Sequence, residues 1–273
     1  MAMPISKKFA VVGNPINHSL SPRIHNIFAR EFDLDISYDA LCIEPEEFEL
    51  SITKLFEKGY HGLNVTLPLK ELAFEFADNL SEESDLCRSV NTLWMKGSTR
   101  CADSTDGRGL ITDLKNKNIM LKKKEIVVLG AGGSAKAIIP SILRESPKRL
   151  TIINRTFSNA EQVADQFSSL EGNIDIIPIS ESLNFQPDLV LNTSSAGTLD
   201  QDFKLPENLL GDNTCVYDLS YSRGLTPFIE IALNSGVKDH FDGLGMLIEQ
   251  AALSFEIWTG LNPNTSINRH EII

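Results

Sequence analysis

The chain has 273 residues, of which 42% are hydrophobic and 23% charged, and its formal net charge is −12. This length allows one large domain or two of ordinary size. The acidic balance makes a general nucleic-acid surface unfavourable. No apolar run approaches the ~18 residues of a membrane span, and the N-terminus MAMPISKKF lacks the long apolar run of a signal peptide. We therefore predict a cytoplasmic protein that binds neither nucleic acid nor a membrane.

The cysteines and histidines indicate neither a disulfide framework nor a metal site. The histidines show no spacing typical of zinc ligands. The cysteines are widely spaced without a C-x-x-C pair, so we expect reduced structural thiols. They are Cys42, Cys87, Cys101 and Cys215.

Strand-like and helix-like segments alternate along the chain, which predicts an α/β fold with mainly parallel sheets. In the first part, Ser21 is predicted as an N-cap and Pro22 as the first helical residue. The strands predicted there are 8–12, 37–43, 63–66 and 90–95, the last of which begins a hairpin with its turn at 96–98. The helices predicted there are 22–30, 45–58 and one that begins near Pro68.

A basic stretch at 115–124 predicts a solvated linker or a helix end. The alternation then restarts with strands predicted at 126–129, 150–153, 174–178, 189–191, 216–219 and 237–241, a spacing typical of a dinucleotide-binding sheet. The last predicted element is a helix over 244–259 with an apolar stripe. Gln250 lies on a different side of this helix, with Gly243 and Met246, and needs a protein or ligand partner.

A glycine-rich turn follows the strand predicted at 126–129. Gly130 permits the tight turn, Gly132 lets a pyrophosphate approach the backbone, and Ala135 lets the helix pack closely on the strand. The helix N-terminus offers free N–H groups and a positive dipole end to an anion. In this strand-and-helix context the motif predicts a bound dinucleotide.

The end of the next predicted strand bears on which dinucleotide binds. An NAD site would place Asp or Glu there, whereas this chain has Asn154-Arg155-Thr156. Arg155 could pair with a 2′-phosphate, and Thr156 could donate a hydrogen bond to it. Because an arginine at a strand end is often merely solvated, Arg155 alone leaves the choice open. Together with the glycine turn it favours NADP.

The first part of the chain carries an unusual set of polar residues. Asn64 and Thr66 alternate along a predicted strand and so share one side. Lys70 follows just inside a predicted helix start, where the helix dipole disfavours a cation. Taken singly, Lys70 fits a solvated lysine, Ser21 a helix cap and Asp106 a turn aspartate. The set is completed by Ser19 and Ser21, which point the same way if their segment is extended, and by Asp106 at the end of the hairpin.

Taken together, these motifs resemble the shikimate dehydrogenase family over nearly the whole chain. An ordered set of motifs is more specific than any one of them. The matching segments are GNPINHSLSPRIHN at 13–26, NVTLPLK at 64–70, VNT at 90–92, TDG at 105–107, the glycine turn, NRT at 154–156, DLSY at 218–221, TPF at 226–228 and DGLGMLIEQ at 242–250.

The resemblance implies an enzyme that interconverts shikimate and 3-dehydroshikimate with NADP, physiologically by reduction, in aromatic amino-acid biosynthesis. It implies a mainly parallel α/β substrate domain at 1–108 and a Rossmann-type NADP domain at 109–242. The helical segment at 243–273 would return to the first domain. A monomer or homodimer without a metal is expected.

Carried over by position, the resemblance implies Lys70 and Asp106 as a catalytic pair that titrates as one coupled unit. Substrate binding is implied for Ser19 and Ser21 on the carboxylate, for Thr66, Asn91 and Gln250 on the ring hydroxyls, and for Tyr221, besides Lys70 and Asp106. Cofactor binding is implied for Gly130, Ala131, Gly132, Gly133, Ser134, Asn154, Arg155, Thr156, Leu219 and Gly243, with the segment 192–194 beside them.

The chain departs from the family pattern in three places. It has Arg88-Ser89 where Gly-Ala is common, Ser104 where Asn is usual, and Asn159 where a second basic residue commonly follows. The neutral Asn159 weakens the expected phosphate clamp. Three alternatives stay open. Arg155 argues against a quinate/shikimate dehydrogenase with relaxed NAD or NADP use, and a catalytically silent NADP-binding module has no need for Lys70 with Asp106. The third is a folate-pathway dehydrogenase, against which the carboxylate site implied for Ser19 and Ser21 argues.

Overall fold

A computed structural model describes residues 6–194 and 205–273 of the chain. Residues 1–5, the start of the segment in which no signal peptide is predicted, lie outside the described residues. The chain divides into two compact units, one of Met1–Gly109 with Leu247–Ile273 and the other of Leu110–Met246. The resemblance predicts the corresponding borders at 108/109 and 242/243.

The first unit contains a mixed, mainly parallel sheet. Its strand order is β2-β1-β3-β5-β6-β4, in which β1 runs parallel to β2 and β3, β5 runs antiparallel to β3 and β6, and β4 runs parallel to β6. The predicted hairpin is confirmed, and Gly97 turns it with φ +64°. The strands are β1 (Lys7–Gly13), β2 (Ile36–Cys42), β3 (Tyr60–Val65), β4 (Asn79–Leu80), β5 (Thr92–Lys96) and β6 (Thr99–Asp103).

Helices cover this sheet. A 3-10 turn at Pro45–Glu47 precedes the second helix, and the short β4 and α4 were not predicted from the sequence. The helices are α1 (Ser21–Glu31), α2 (Phe48–Glu57), α3 (Lys70–Phe76), α4 (Glu82–Cys87), α5 (Asp106–Asn116), which continues into the second unit, and, near the chain end, α9 (Leu244–Thr259) and α10 (Arg269–Ile272).

The prediction of Ser21 as an N-cap is wrong. Leu20 holds that position with φ −88° and ψ −7°, and the helix has no side-chain cap. Ser21 is already the first helical residue and lies 5% exposed. A side chain inside the first turn points away from the free N–H groups, so it cannot cap them.

An aromatic cluster packs between the sheet and the helices of the first unit. The Trp258 ring stacks on Phe9 with centroids 5.0 Å apart. A Cβ at position 62 would lie 2.4 Å from the Trp258 indole, so Gly62 is what admits this ring. His25 is 1% exposed and stacks on Tyr38 at 4.3 Å. Through Trp258, this cluster packs α9 against the sheet.

The second unit is a parallel sheet with the strand order β12-β11-β10-β7-β8-β9. Counted within the unit this is 6-5-4-1-2-3, the doubly wound dinucleotide-binding order, whose ligands lie beyond the carboxyl ends of the strands. The strands are β7 (Glu125–Leu129), β8 (Arg149–Asn154), β9 (Ile174–Pro178), β10 (Leu189–Asn192), β11 (Cys215–Asp218) and β12 (His240–Asp242).

In the described part of the second unit, three helices connect the strands, namely α6 (Gly133–Arg144), α7 (Phe157–Gln166) and α8 (Pro227–Asn234). The last strand begins later than the predicted 237–241, because the Val237 N–H bonds back to the Ala232 carbonyl and closes α8. Ala135 is fully buried in the cluster that contains Ile126 and Val128, as its small size predicts.

Within the described residues, no helix is long and apolar enough to cross a membrane. The four cysteines are free, with Cys42 exposed. The same residues contain no group of three or more His, Cys, Asp or Glu side chains that could hold a metal ion.

The buried His25 predicts a loss of stability in mild acid. Burial lowers the pKa of His25 to about 3, although a hydrogen bond with Asn64 opposes the shift. In the unfolded chain a histidine titrates near 6.5. Between these values only the unfolded state binds the proton, so stability falls as the pH falls below 6.5. At pH 4.5 this group alone should cost roughly 2–3 kcal/mol of unfolding free energy.

Urea unfolding at pH 7 and pH 4.5 measures this effect. We expect His25→Phe to show a smaller loss between the two pH values than the parent protein, whatever its own stability at pH 7. His270→Gln, at an exposed position, should keep the parent's pH dependence. An unchanged pH dependence in His25→Phe would contradict the assignment.

Candidate functional site

A buried ion pair lies where α3 and α5 begin. Lys70 Nζ donates to Asp106 Oδ2 at 2.6 Å, and the two residues are 8% and 6% exposed. Asp106 is the first residue of α5, where the helix dipole favours a carboxylate. Lys70 is the first residue of α3, where the dipole opposes a cation, so its position depends on the facing carboxylate.

Asn91 connects this ion pair to the rest of the first unit. Its Nδ2 lies 3.1 Å from Asp106 Oδ1, 2.8 Å from Thr105 Oγ1 and 3.0 Å from Gln250 Oε1. Its Oδ1 accepts from the Thr105 N–H at 2.9 Å and from the Thr92 hydroxyl at 2.9 Å. Both oxygens of Asp106 are therefore held, one by Lys70 and the other by Asn91.

Gln250 reaches this cluster from α9. Its Nε2 donates to the Leu247 carbonyl at 2.8 Å, which leaves its Oε1 directed to Asn91. A Cβ at position 109 would lie 2.7 Å from the Gln250 backbone nitrogen, so Gly109 is needed for α5 and α9 to approach this closely. The partner that the sequence requires for Gln250 is thus supplied within the protein.

The segment that contains Ser19 and Ser21 is not extended, so the condition under which the sequence would point both hydroxyls the same way is not met. Leu20 between them is helical, and the Ser21 N–H donates to Ser19 Oγ at 3.3 Å. Ser19 is half-buried and Ser21 is buried. Thr66 is half-buried just after β3, and a Cβ on Gly13 would lie 2.4 Å from its Cγ2.

A second layer of polar residues surrounds Asn64, which the sequence analysis singled out, and includes Tyr38 and Ser254, which it missed. Tyr38 OH donates to Asn64 Oδ1 at 2.6 Å, and Asn64 Nδ2 donates to the Asn91 carbonyl and to Ser254 Oγ, each at 3.0 Å. Burial raises the pKa of Tyr38 well above its usual value, so it stays a neutral donor. Ser254 lies one helical turn after Gln250, and this i, i+4 polar spacing was the available signal.

In the second unit, the glycine turn leaves a helix N-terminus open. Gly130 has φ +111°, and a Cβ there would lie 2.5 Å from Thr193 Oγ1. Gly132 is the N-cap of α6, is exposed, and would place a Cβ in open space. The first turn of α6 carries no acidic residue. The other residues predicted to hold the pyrophosphate in this glycine turn are Ala131, which is buried, and Gly133 and Ser134, which are half-buried.

Asn154, the last residue of β8, and the two residues after it lie beside this turn, because Leu129 of β7 is in register with Ile153 of β8. Asn154 Nδ2 donates to the Thr156 carbonyl at 2.8 Å. Arg155 and Thr156 are exposed, and the Thr156 side chain does not cap α7. Both polar groups are therefore accessible at the carboxyl edge of the sheet.

The residues after β11 lie at the same edge. The Leu219 N–H donates to the Asn192 carbonyl at 2.9 Å, and the Gly243 N–H donates to the Ser220 carbonyl at 3.0 Å. A Cβ on Gly243 would lie 2.0 Å from the Leu219 carbonyl oxygen, so only glycine fits. Tyr221, two residues further along, is half-buried.

Family models match most of the chain. The shikimate dehydrogenase substrate binding domain matches residues 11–93, the shikimate / quinate 5-dehydrogenase model matches 113–222, and the shikimate 5′-dehydrogenase C-terminal domain matches 243–269. The chain belongs to the shikimate dehydrogenase family.

Members of this family are similar over nearly their full length. The chain is 42% identical over 259 residues to a shikimate dehydrogenase (NADP(+)) of Vibrio atlanticus, covering 94% of this chain and 93% of that protein. It is 41% identical over 260 residues to one of Legionella pneumophila strain Corby, covering 95% and 96%. A shikimate 5-dehydrogenase of Thermus thermophilus, solved with NADP(H) and shikimate, has a TM-score of 0.84 at 31% identity, covering 95% and 96%.

The glycine turn of this family member predicts unequal effects of two alanine substitutions on stability. Gly130→Ala forces a side chain into a positive-φ position against Thr193, so we expect a loss of about 1–3 kcal/mol in unfolding free energy. Gly132→Ala meets open space and should stay within about 0.5 kcal/mol of the parent protein. Thermal and urea unfolding measure both variants. Equal losses in the two would contradict this account of the turn.

Proposed function

We propose that the protein is an NADP-dependent oxidoreductase that interconverts shikimate and 3-dehydroshikimate, physiologically by reduction of the latter in aromatic amino-acid biosynthesis. The observation that carries the proposal is the buried Lys70–Asp106 pair, 2.6 Å apart and held by Asn91. The names of its relatives and the shikimate complex of the Thermus protein support the substrate class. The cytoplasmic location and the monomeric or homodimeric state stay predictions.

The second unit fits a dinucleotide phosphate. Gly132 leaves open space at the N-terminus of α6, where free N–H groups favour an anion. We assign the pyrophosphate to residues 130–134 and the adenosine 2′-phosphate to Asn154, Arg155 and Thr156, with Leu219 and Gly243 toward the nicotinamide. When bound there, the nicotinamide would supply the hydride chemistry, as acceptor during oxidation of the carbinol carbon and, in its reduced form, as donor during reduction. We therefore assign 109–242 as the cofactor domain.

The first unit supplies the proton transfer. During oxidation the substrate hydroxyl must release a proton as its carbon loses hydride, and the Lys70–Asp106 pair accepts it as a unit. During reduction Lys70 donates a proton to the oxygen of the forming alcohol. Asp106 keeps the lysine Nζ oriented in both directions, because the carboxylate is itself fixed through Asn91.

The remaining polar groups bind and orient the substrate. Ser19 and Ser21 would donate to its carboxylate, which suits an acidic protein in which the global charge repels the ligand. Thr66, Asn91 and Gln250 would bind ring hydroxyls, and Tyr221 would contact the substrate from the cofactor domain. We assign 1–108 as the substrate domain, with 243–273 as its C-terminal helical part.

One assay separates this function from its alternatives. Purified protein is mixed with shikimate or quinate, each with NADP or NAD, and nicotinamide absorbance is followed. Turnover of shikimate with NADP is expected to dominate. Comparable turnover of quinate, or of NAD, would favour the relaxed quinate/shikimate enzyme. Cofactor binding without turnover of either acid would favour the silent module.

Removal of the lysine tests the proposed chemistry. Lys70→Ala should lower kcat for shikimate oxidation by about 10²–10⁴-fold, because the hydroxyl proton loses its acceptor. Its NADP affinity, measured by calorimetry, should match that of the parent protein. The exposed Lys58→Ala is the matched control and should keep full activity. Full activity in Lys70→Ala would refute the assignment.

The cofactor preference is tested at Arg155. Arg155→Ala removes a charge-assisted hydrogen bond to the 2′-phosphate, which is typically worth about 1.5–3 kcal/mol. We therefore expect the KM for NADP to rise about tenfold or more and the KM for NAD to change little. Lys122→Ala, an exposed cation in the same unit, serves as control. Equal losses for both cofactors would sink the assignment.

A further inference from the structure

A buried carboxylate outside the proposed catalytic pair is the last residue of β11. Asp218 is 2% exposed. Its Oδ1 accepts from Asn192 Nδ2 and from the Ser220 N–H, each at 3.0 Å, and its Oδ2 accepts from the Thr226 hydroxyl at 2.6 Å. These hydrogen bonds use both carboxylate oxygens, and the three donors are neutral.

These contacts close the base of a loop. Ser220 lies at the start of the segment 219–226 and Thr226 at its end, and Asp218 holds both. Thr226 is also the N-cap of α8, where its hydroxyl accepts from the Ile229 N–H at 3.3 Å. The loop that carries Tyr221 is therefore fixed at both ends by one side chain.

The same carboxylate joins the loop to the neighbouring strand. Asn192 ends β10 and is in register with Asp218. While its Nδ2 donates to Asp218, its Oδ1 accepts from the Ser194 N–H at 3.2 Å and from the Ser194 hydroxyl at 2.5 Å. Residues 192–194 at the end of β10 and the segment that follows β11 thus share one hydrogen-bonded network at the carboxyl edge of the sheet.

The opposite side of the loop is restrained by backbone contacts. Gly243 donates to the Ser220 carbonyl and leaves no space for a side chain beside the Leu219 carbonyl. Burial raises the pKa of Asp218, although the hydrogen bonds that the carboxylate accepts oppose this shift. Because a buried carboxylate is costly, an apolar side chain would serve better if this position only filled space.

We propose that Asp218 is a positioning residue that holds Leu219 and Tyr221 in place for the nicotinamide and the substrate. It acts through the 219–226 segment and does not itself contact the reacting groups. The inference deepens the proposed function and rests on it for the identity of the ligands. Holding Tyr221 in advance spares the substrate the free energy of ordering that loop.

Kinetics of Asp218→Ala test the proposal. We expect the KM for shikimate to rise about tenfold and kcat to change less than about threefold, since binding is weakened while the Lys70–Asp106 pair is untouched. The matched control is Asp188→Ala, a carboxylate just before β10 that accepts from Lys124 at 2.8 Å and from the Glu125 N–H at 2.8 Å. It should lose stability without a change in KM.

A milder pair of variants leaves the carboxylate of Asp218 in place and changes only one of its donors. Thr226→Val removes the hydroxyl that Asp218 accepts from, whereas Thr226→Ser retains it. We expect the KM for shikimate to rise in Thr226→Val and to stay at the parent value in Thr226→Ser. Hydrogen exchange at the Ser220 amide should accelerate in Asp218→Ala and not in Asp188→Ala.

Two results would overturn the positioning role. One is a parent-like KM in Asp218→Ala despite a lowered melting temperature; the other is an equal KM in the two Thr226 variants. If the parent protein turns over no shikimate, the proposed function fails, and NADP affinity with Ser220 exchange then decides the role of Asp218. If Asp218→Ala keeps the parent's NADP affinity and the parent's exchange rate at the Ser220 amide, the positioning role is rejected.

Discussion

Two opposite charges lie side by side inside the first unit, and much of the surrounding structure follows from their burial. Removing an ion from water costs several kcal/mol unless a partner and further hydrogen bonds compensate. Lys70 and Asp106 compensate each other, and Asn91 satisfies the second carboxylate oxygen. Because Asn91 also donates to Gln250, the network around the charge pair extends to α9.

The second unit depends on a different constraint, the space available at the strand ends. Gly130 and Gly243 each sit where a Cβ would collide with a neighbouring loop, whereas Gly132 faces open space. Two glycines thus serve the packing of the protein, and the third keeps a surface accessible. The same residue type has distinct physical roles within one site.

Local signals in the sequence were sufficient for much of the fold. The predicted strand at 174–178 and helix at 244–259 have the observed bounds, because each has a clear period and clear ends. The two-residue β4 and the short α4 were missed, since such elements owe their existence to the sheet they join. α5 was missed because the glycines at its start mask the helical pattern.

In the candidate site, too, the local features could be predicted from the sequence and the long-range contacts could not. The glycine turn lies within a few residues and could be predicted from them. The partners of Asn91 come from positions 105, 106 and 250, and the Tyr38–Asn64–Ser254 contacts span more than 200 residues of chain. No local pattern encodes such pairings. The helical start at Ser21 was likewise decided by the backbone at Leu20, which residue type alone does not specify.

The amide of Asn91 carries one more consequence. Its nitrogen has two protons, yet three acceptors surround it, on Asp106, Thr105 and Gln250. One acceptor is therefore always short of a donor in the protein alone. A hydroxyl group that arrives there supplies the missing proton without displacing an existing partner. Under the proposed function, this unsatisfied acceptor would suit a ring hydroxyl of the substrate.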